Sequence, residues 1–590
     1  MSEAPRWDME SIQPGGVASE DWVERKDDAL KVMSSLVEQA DALEDLPGGL
    51  EDWQAVLQAL ISNMQKIWQL GVIAHCQAST DTNDRLAEAS SARITEIFAL
   101  YGRAWVRIEE AVVNASEEDF ESLAGLDALQ DIRPSLDRIR AKAHLLLPPD
   151  QQGLVHLMSP DGINGWSGLY TKLSGRLEVT IDGETLSAGQ AFNRTGAQDR
   201  SVRLAAHNAL EGTWSVDKDT WATCLTHITG TRLTLNKLRD VGPLADTLSE
   251  SRMKPETLNA MNLAIERFRP TLVEYLETKA RVLGVEKLHW VDVKAPVGDA
   301  GPPHDWDTSS GFVTTHLDNA HSEMGEFTRM ALKGRWIEAE DRPGKRMGGY
   351  CTWLPESKES RIFMTHGGRF QSTVTLAHEL GHAFHNEVLR DVPVSRRSIP
   401  MTLAESASTF AENVVRDAAL NTATSEAHRL ALLDARLQAG VVFLMDIPAR
   451  FAFELALYEM RTQGALSPDD LDAKMIECQK TAFGDALAQW SPTFWCSKLH
   501  FYIGSRSFYN FPYAFGYLFS ALVYEQLKDG SAESLQTYRD LLIRTGWDHA
   551  ENISNDILGL DLTNPDTWEL AMQPIVRDLA LYADLADNLS

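Results

Sequence analysis

The 590-residue sequence is short of basic residues and of cysteines. Lys and Arg number 55 against 85 Asp and Glu, which gives a formal net charge of −30. Phosphate groups are repelled by such a chain, so the balance argues against binding to nucleic acid or to anionic membrane surfaces. The five cysteines include no CxxC pair. This argues against a cysteine zinc cluster and is typical of a reducing compartment.

Long apolar runs are also missing. The most apolar long stretch, residues 439–458, contains Asp446, Pro448, Arg450 and Glu454, which a membrane-spanning helix would not carry. Residues 1–16 are acidic and have no apolar core, unlike a secretory signal. We therefore expect a cytoplasmic protein without membrane partners, either a monomer or a small homo-oligomer.

Helical periodicity dominates what is present. Residues 20–147 show apolar positions at 3,4 spacing, for example Trp53, Leu57 and Leu60. Breaks at residues 46–49 and 80–83 predict antiparallel helical hairpins. Alternating apolar residues before Asp182-Gly183 predict a small hairpin of strands.

One motif carries chemistry. Residues 370–390 (FQSTVTLAHELGHAFHNEVLR) predict a single helix, with Ser372 or Thr373 as its cap. His378 and His382 lie four apart on one face, so both imidazoles can reach one metal ion. Glu379 lies one step round the helix, where its carboxylate can take a proton from water that zinc activates. This is the HExxH pattern of zinc peptidases; the alternative is an amphipathic helix with two surface histidines.

The neighbouring residues leave the third ligand open. Gly381 costs about 1 kcal/mol against Ala inside a helix, so we expect it to permit a close approach. A catalytic zinc needs a third protein ligand, and Val388 stands where a third histidine would follow in metzincins. Glu405 and Glu412 are seven apart, on one face of a following helix. Thr402 and Glu405 also match a capping box, so spacing does not decide between metal ligand and cap.

Two short strands are predicted just ahead of the metal helix, at residues 347–353 and 361–366. We expect the second strand, residues 361–366, to bind an extended peptide by adding it as a further strand, which requires no particular side chains. The alternative is an ordinary covered hairpin.

The run His-Glu-Leu-Gly-His-Ala-Phe-His, followed by Ala-Glu-Ser-Ala-Ser-Thr-Phe-Ala-Glu, resembles the oligoendopeptidase F branch of the thimet oligopeptidase family. Residues 342–351 and 500–517 extend the resemblance, which covers most of the chain and is weakest over the first 150 residues. It implies that Glu405 is the third ligand, with one zinc ion per chain.

The resemblance also implies a fold. We expect a mainly α protein, a two-lobed helical ellipsoid with a deep channel and a small β-ribbon next to the HExxH helix. We place an N-terminal helical lobe with a small β-hairpin at residues 1–200 and a zinc metallopeptidase domain at residues 201–590.

In that family a downstream histidine and tyrosine help bind the substrate carbonyl and stabilise the oxyanion, and His500, Tyr513 and Tyr517 resemble them. The spacing is longer here than in the thimet branch, so Tyr509 or Tyr513 can hold the second tyrosine's role. The alternative is a packing stripe of Tyr509, Tyr513 and Tyr517 on one helix.

The predicted function is zinc-dependent hydrolysis of internal bonds in short unstructured peptides, with Glu379 as general base. A zinc-dependent peptide-binding module without turnover and a metallocarboxypeptidase are the alternatives. The first has no need of Glu379, and for the second the sequence identifies no cation for a terminal carboxylate.

Overall fold

The computed structural model describes residues 4–589, and 70% of the model is helical. The first α-helices are α1 (Glu20–Asp41), α2 (Leu50–Thr80), α3 (Arg85–Asn114), α4 (Glu117–Ala124), α5 (Arg133–Ala141), α6 (Pro149–Met158), α7 (Ile163–Ser174), α8 (Ala188–Arg194), α9 (Arg200–Val216), α10 (Lys218–Arg239), α11 (Ala245–Ser251), α12 (Pro255–Val282), α13 (Trp306–Ala320) and α14 (Ser322–Lys333). The later ones are α15 (Phe370–Val388), α16 (Met401–Ala404), α17 (Ser408–Asn421), α18 (Glu426–Val441), α19 (Ile447–Gln463), α20 (Pro468–Phe483), α21 (Phe494–Ser497), α22 (Phe511–Leu527), α23 (Ala532–Arg544), α24 (Ala550–Ile553) and α25 (Pro565–Leu589). The mainly α prediction is confirmed. Among residues 4–589 we find no helix with the length and apolar character that crossing a bilayer requires.

The strands are short and form three small sheets. They are β1 (Glu178–Ile181), β2 (Glu184–Ser187), β3 (Leu288–His289), β4 (Ile337–Glu338), β5 (Tyr350–Leu354), β6 (Glu359–Phe363) and β7 (Leu487–Gln489). β1 and β2 pair antiparallel, β3 and β7 pair parallel, and the third sheet has the order β4-β6-β5.

The first three helices follow the predicted pattern. Ser19 accepts a hydrogen bond from the Trp22 N–H and Asp84 accepts one from the Ala87 N–H, so α1 and α3 begin with side-chain caps. The breaks between α1 and α2 and between α2 and α3 fall at the predicted places. The hairpin of β1 and β2 is confirmed as well. Asp182 and Gly183 both have positive φ, at 51° and 83°, as a tight two-residue hairpin turn requires.

Contacts group the chain into two compact units, each built from three segments. Unit 1 contains residues 1–144, 302–418 and 523–549, and unit 2 contains residues 145–301, 419–522 and 550–590. No boundary of either unit falls at residue 200, and the division into 1–200 and 201–590 stays a prediction.

The core of unit 1 joins its helices to the three-stranded sheet. Buried residues of α2 such as Trp53 and Leu60 belong to one apolar cluster with Leu354 of β5 and Phe363 of β6. Helix α15 contacts both of these strands. The apolar faces of α1 to α3 therefore support the sheet, and the sheet supports the helix that carries the HExxH motif.

The core of unit 2 forms around α10 and α19. Trp221 and Leu225 of α10, together with Phe453 and Leu457 of α19, are fully or nearly fully buried in one cluster. Tyr502 joins this cluster and stacks on Tyr170, with ring centroids 3.6 Å apart. This cluster positions the segment that leads to Tyr509 and to α22, the helix that contains Tyr513 and Tyr517.

Candidate metal centre

Helix α15 is held by burial rather than by a side-chain cap. Leu376, Ala377, Leu380 and Phe384 are almost completely buried, so the helix is enclosed on most faces. The prediction that Ser372 or Thr373 caps it is wrong. Helix α15 starts at Phe370, and its N-cap residue, Arg369, makes no side-chain cap. Ser372 lies inside the first turn, where its hydroxyl accepts a hydrogen bond from the Gly367 N–H.

The structure brings together the three predicted metal ligands. One ligand atom from each of His378, His382 and Glu405 lies within 4.8 Å of the other two. Glu405 Oε2 is 3.5 Å from Nε2 of each histidine. The imidazole rings are nearly perpendicular, with centroids 4.8 Å apart. Two imidazole nitrogens and a carboxylate oxygen that converge in this way could hold a metal ion, and they are donors of the type that catalytic zinc sites use.

Glu405 is placed by a turn rather than by a helix. It lies between α16 and α17, at the C-cap of α16, and its Oε2 accepts a hydrogen bond of 2.6 Å from the Ser408 hydroxyl. The capping-box reading of Thr402 and Glu405 is wrong, because α16 begins at Met401 and has Pro400 as its N-cap. The ligand role of Glu405 stays a prediction, which its position beside both imidazoles supports.

Glu412 contacts Nδ1 of His378, the ring nitrogen that is not the one beside Glu405. Its Oε1 is 2.7 Å from Nδ1 of His378, and its Oε2 accepts hydrogen bonds of 3.2 and 3.0 Å from Nε and Nη2 of Arg416. A carboxylate on Nδ1 fixes the imidazole tautomer and leaves Nε2 free for a metal ion. The sequence spacing predicts Glu412 as a candidate metal ligand. In the structure it contacts His378 and supports that imidazole instead, which the spacing alone does not indicate.

The pKa values of this group suit metal binding. Burial opposes ionisation of Glu412, yet Arg416 and His378 hold its pKa at about 2. Burial alone lowers the pKa of His378, but the hydrogen bond that it donates to Glu412 and the charges of Glu412, Glu405 and Glu379 together outweigh burial and raise that pKa to about 9. Burial lowers the pKa of His382 to about 4, so this ring is neutral at pH 7. Binding of a cation therefore releases a proton from His378, and metal affinity falls as the pH is lowered.

Glu379 has the environment of a general base. Its side chain is 6% exposed, and its buried Oε2 makes no hydrogen bond within residues 4–589. Burial raises the pKa of Glu379 to about 7. An unpaired carboxylate beside the metal ligands, with a pKa near the operating pH, is suited to accept a proton from a reacting water.

Two glycines make room at this site. A Cβ at Gly381 would lie 2.5 Å from the carbonyl oxygen of Ala407 and 2.6 Å from Cα of Ser408. The expected close approach at Gly381 is confirmed, and it is to the segment that follows Glu405. A Cβ at Gly349 would lie 3.1 Å from Oε1 of Glu379.

The sheet next to α15 differs from the predicted hairpin. Strand β5 starts at Tyr350 rather than 347, because the residues before it are glycines and Gly348 has a φ of 102°. Strand β6 is central, since Ile362 and Phe363 pair with β5 on one side and with β4 on the other. The prediction that a peptide adds to the 361–366 strand is therefore wrong for β6. Among residues 4–589, the outer side of β5 has no strand partner.

The predicted oxyanion residues lie in unit 2. His500 contacts both Tyr509 and Tyr513, with ring centroids 5.7 and 5.9 Å apart. Tyr517 stacks on Phe443 instead, at 4.6 Å. Tyr509 precedes α22, so the three tyrosines are not one stripe on a helix. The roles of His500, Tyr509, Tyr513 and Tyr517 stay predictions.

Comparison with known proteins gives consistent results. The model of peptidase family M3 matches residues 316–574, and the oligopeptidase F model matches residues 112–178. An oligoendopeptidase F homolog of Lactococcus lactis is 25% identical over 566 residues, covering 92% of this chain and 91% of that protein. The oligopeptidase PepF of Bacillus subtilis is 22% identical over 528 residues, covering 86% and 77%.

A solved structure shares the fold. The crystal structure of oligoendopeptidase-F from Enterococcus faecium superposes with a TM-score of 0.74 at 19% identity, and the match covers 96% of this chain and 100% of that one. At this identity the similarity establishes the architecture alone.

Proposed function

Since this chain belongs to peptidase family M3, as a metalloendopeptidase of the oligoendopeptidase F type, we propose that it is a zinc-dependent oligoendopeptidase with Glu379 as general base. One observation carries the proposal. His378, His382 and Glu405 converge within 4.8 Å, and the buried Oε2 of Glu379, the residue next to His378, makes no hydrogen bond within residues 4–589. A site that only held a metal ion would not require that carboxylate.

The chain's own residues supply the proton transfers. Zinc, when bound by His378, His382 and Glu405, lowers the pKa of a water molecule to about 7 and polarises the scissile carbonyl. Glu379 accepts the proton that this water loses as it attacks the carbonyl carbon. The C–N bond then breaks, and Glu379 gives the proton to the leaving amine. Glu412 keeps Nε2 of His378 in the orientation and tautomer that ligation needs.

We assign oxyanion stabilisation to the aromatic group in unit 2. His500 lies against Tyr509 and Tyr513, and burial lowers the pKa of His500 to about 4. A neutral imidazole and a tyrosine hydroxyl donate hydrogen bonds to a developing oxyanion without carrying a charge into the site. The contact with His500 favours Tyr509 and Tyr513 over Tyr517 for this role.

The proposed substrates are short unstructured peptides. The outer side of β5 is the sheet edge to which an extended segment can add, and main-chain pairing there requires no specific side chains. A folded protein presents no such extended segment. The acidic balance of the chain favours peptides over nucleic acid or anionic membranes as partners.

Two measurements test this function. The metal content of the purified protein is determined, and cleavage of a mixed pool of short peptides is mapped by mass spectrometry. We expect about one zinc per chain and internal cleavage. Glu379→Gln is the matched control and should retain zinc while losing about 10²–10⁴-fold in turnover. Release of C-terminal residues alone would favour a carboxypeptidase, and turnover near the wild-type value in the variant would refute the assigned base.

Size selection needs its own experiment. Unstructured peptides of increasing length that share one cleavable segment are compared under the same conditions. We expect the rate to fall sharply above an upper length and folded proteins to resist cleavage. Equal rates across the series would show that substrate length is not selected.

A further inference from the structure

Unit 2 contains a cavity whose lining includes none of the metal ligands. Its volume is about 380 Å³, within the range of roughly 300–1,000 Å³ typical of small-molecule sites. Helices α8 and α9 contribute to one part of the lining, and residues 290–294 and 491–498 contribute to others. The remaining part is the π-helical segment Val442–Asp446, which links α18 to α19. Such π turns recur at functional sites.

The walls are largely apolar and aromatic. The large apolar side chains in the lining are Phe192, Leu210, Trp214, Trp290, Phe483 and Phe494. Trp290 meets Phe494 edge to face at 5.0 Å and Phe483 at 5.3 Å, so this wall is one connected aromatic surface. It fits an apolar or aromatic body rather than a sugar or a hydrated ion.

A lysine that no carboxylate contacts directly lies among these rings. Lys498 is half-buried and lines the cavity, and its Nζ is 4.2 Å from the ring centroid of Phe494 and 5.7 Å from that of Phe192. Within residues 4–589, Lys498 has no hydrogen bond or ion pair to a carboxylate. Burial and the nearby Arg450 lower the pKa of Lys498 to about 7. An ammonium group in this environment gains from an anion that enters the cavity.

The carboxylates of the lining are already engaged. Asp446 is bound by Arg450, whose Nε is 3.0 Å from Oδ1 and whose Nη2 contacts Oδ2. Glu211 accepts hydrogen bonds from the Ser491 hydroxyl and, at 2.7 Å, from Oγ1 of Thr493. Asp446 is therefore hydrogen-bonded to Arg450, and its charge acts on Lys498 without a direct contact.

A second lysine adds to the positive charge. Lys294 is exposed and lines the same cavity, and its positive charge helps to lower the pKa of Lys498. Two ammonium groups thus face one cavity in a chain whose net charge is −30. Glu211 and Asp446 also line the cavity but make their own hydrogen bonds, so Lys498 is the charged group of the lining that is placed to bind an entering anion.

We propose that this cavity binds a small organic carboxylate with an apolar or aromatic body. The carboxylate pairs with Lys498 and Lys294, and the body lies against Phe494, Trp290 and Phe192. Two sources supply this chemistry: a free carboxylic acid, and the C-terminal carboxylate of a short peptide.

Calorimetric titration with a matched acid and amide tests whether the cavity recognises the negative charge of a carboxylate. 3-Phenylpropanoate and its neutral amide have the same body, and we expect the acid to bind at least tenfold more tightly. Lys498→Met keeps the length of the side chain and removes its charge, so it should remove most of the difference in affinity between acid and amide, while Lys294 retains a small part. Lys287→Met is the control, since Lys287 lies in the same unit but pairs with Asp485. It should change nothing.

Further titrations distinguish a free carboxylic acid from a peptide C-terminus as the ligand and test whether the acid binds to zinc instead of the cavity. Carboxylates also bind zinc, so the titrations are repeated after chelation, and equal affinity with and without metal is expected. Alanyl-phenylalanine and its C-terminal amide then show whether peptide acids bind as well as free acids. Equal binding of acid and amide by the wild-type protein, wild-type affinity in Lys498→Met, loss of binding on chelation, or no binding of either acid would each overturn the proposal.

Discussion

Replacing Gly381 by alanine adds one methyl group to α15 at the point where that helix meets the turn before α17. The new carbon would lie 2.5 Å from the Ala407 carbonyl oxygen and 2.6 Å from Cα of Ser408. Since 3.4 Å is the lower limit of ordinary contact, the segment or the helix must move by about 1 Å. The neighbours are backbone atoms, so no side chain can rotate away to relieve the contact.

Two opposing effects set the magnitude. Alanine in a helix interior is favoured over glycine by about 0.5–1 kcal/mol. Overpacking of a closely packed contact costs about 1–3 kcal/mol. We therefore expect Gly381→Ala to be destabilising by about 1–2 kcal/mol rather than stabilising. Glu405 lies two residues before Ala407, and catalytic groups tolerate displacements of only about 0.5 Å. We expect zinc affinity to fall at least tenfold.

The assay compares two glycines of unit 1. Gly102 lies in α3, and a Cβ there meets no atom within 4 Å, so Gly102→Ala should raise stability by about 0.5–1 kcal/mol and leave zinc binding unchanged. Urea unfolding of the metal-free proteins gives the stability change, and titration against a zinc chelator gives the affinity. If Gly381→Ala matched Gly102→Ala in both measurements, the close approach would not determine the position of Glu405.

Four further expectations concern the same site. Glu405→Gln should reduce metal occupancy, whereas full occupancy would return the ligand role to another residue. Glu412→Gln should weaken zinc binding by about 10–100-fold in chelator competition; an unchanged affinity would show that His378 needs no orienting partner. Tyr509→Phe or Tyr513→Phe should lower kcat by about 10²–10³ with zinc intact, with a smaller effect for Tyr517→Phe; equal effects at all three positions would refute this ranking. Burial raises the pKa of Glu379 from 4.5 to about 7 and a bound cation opposes this. Since the base must be ionised, kcat/KM should fall as the pH drops through a value between these limits, and a flat profile would contradict the role of Glu379.

Features with local causes were predictable from the sequence. The histidines of α15 share a face because they are four residues apart, whatever surrounds the helix. The Asp182-Gly183 turn needs two residues that accept positive φ, and the sequence provides them at that point. Gly381 was recognisable because it is unfavourable in a helix unless something approaches it closely.

Features that depend on distant residues were not predictable. The hydrogen bond from His378 to Glu412 joins residues 34 positions apart, and no spacing rule distinguishes Glu412 from a solvated glutamate. Strand β4 has only two residues, too few for a strand pattern. Its pairing with β6 comes from tertiary contacts, and it moves the open edge of the sheet to β5.

The strand order changes where we expect a bound peptide to lie relative to Glu379, the proposed general base. Strand β6 is occupied on both sides at Ile362 and Phe363, so an added segment must use the outer side of β5. Strand β5 begins one residue after Gly349. A Cβ at Gly349 would lie 3.1 Å from Oε1 of Glu379. The start of the available edge and the proposed general base therefore lie next to each other. Because a Cβ at this point would crowd the carboxylate, we infer that Gly349 lets a peptide paired with β5 lie close to Glu379.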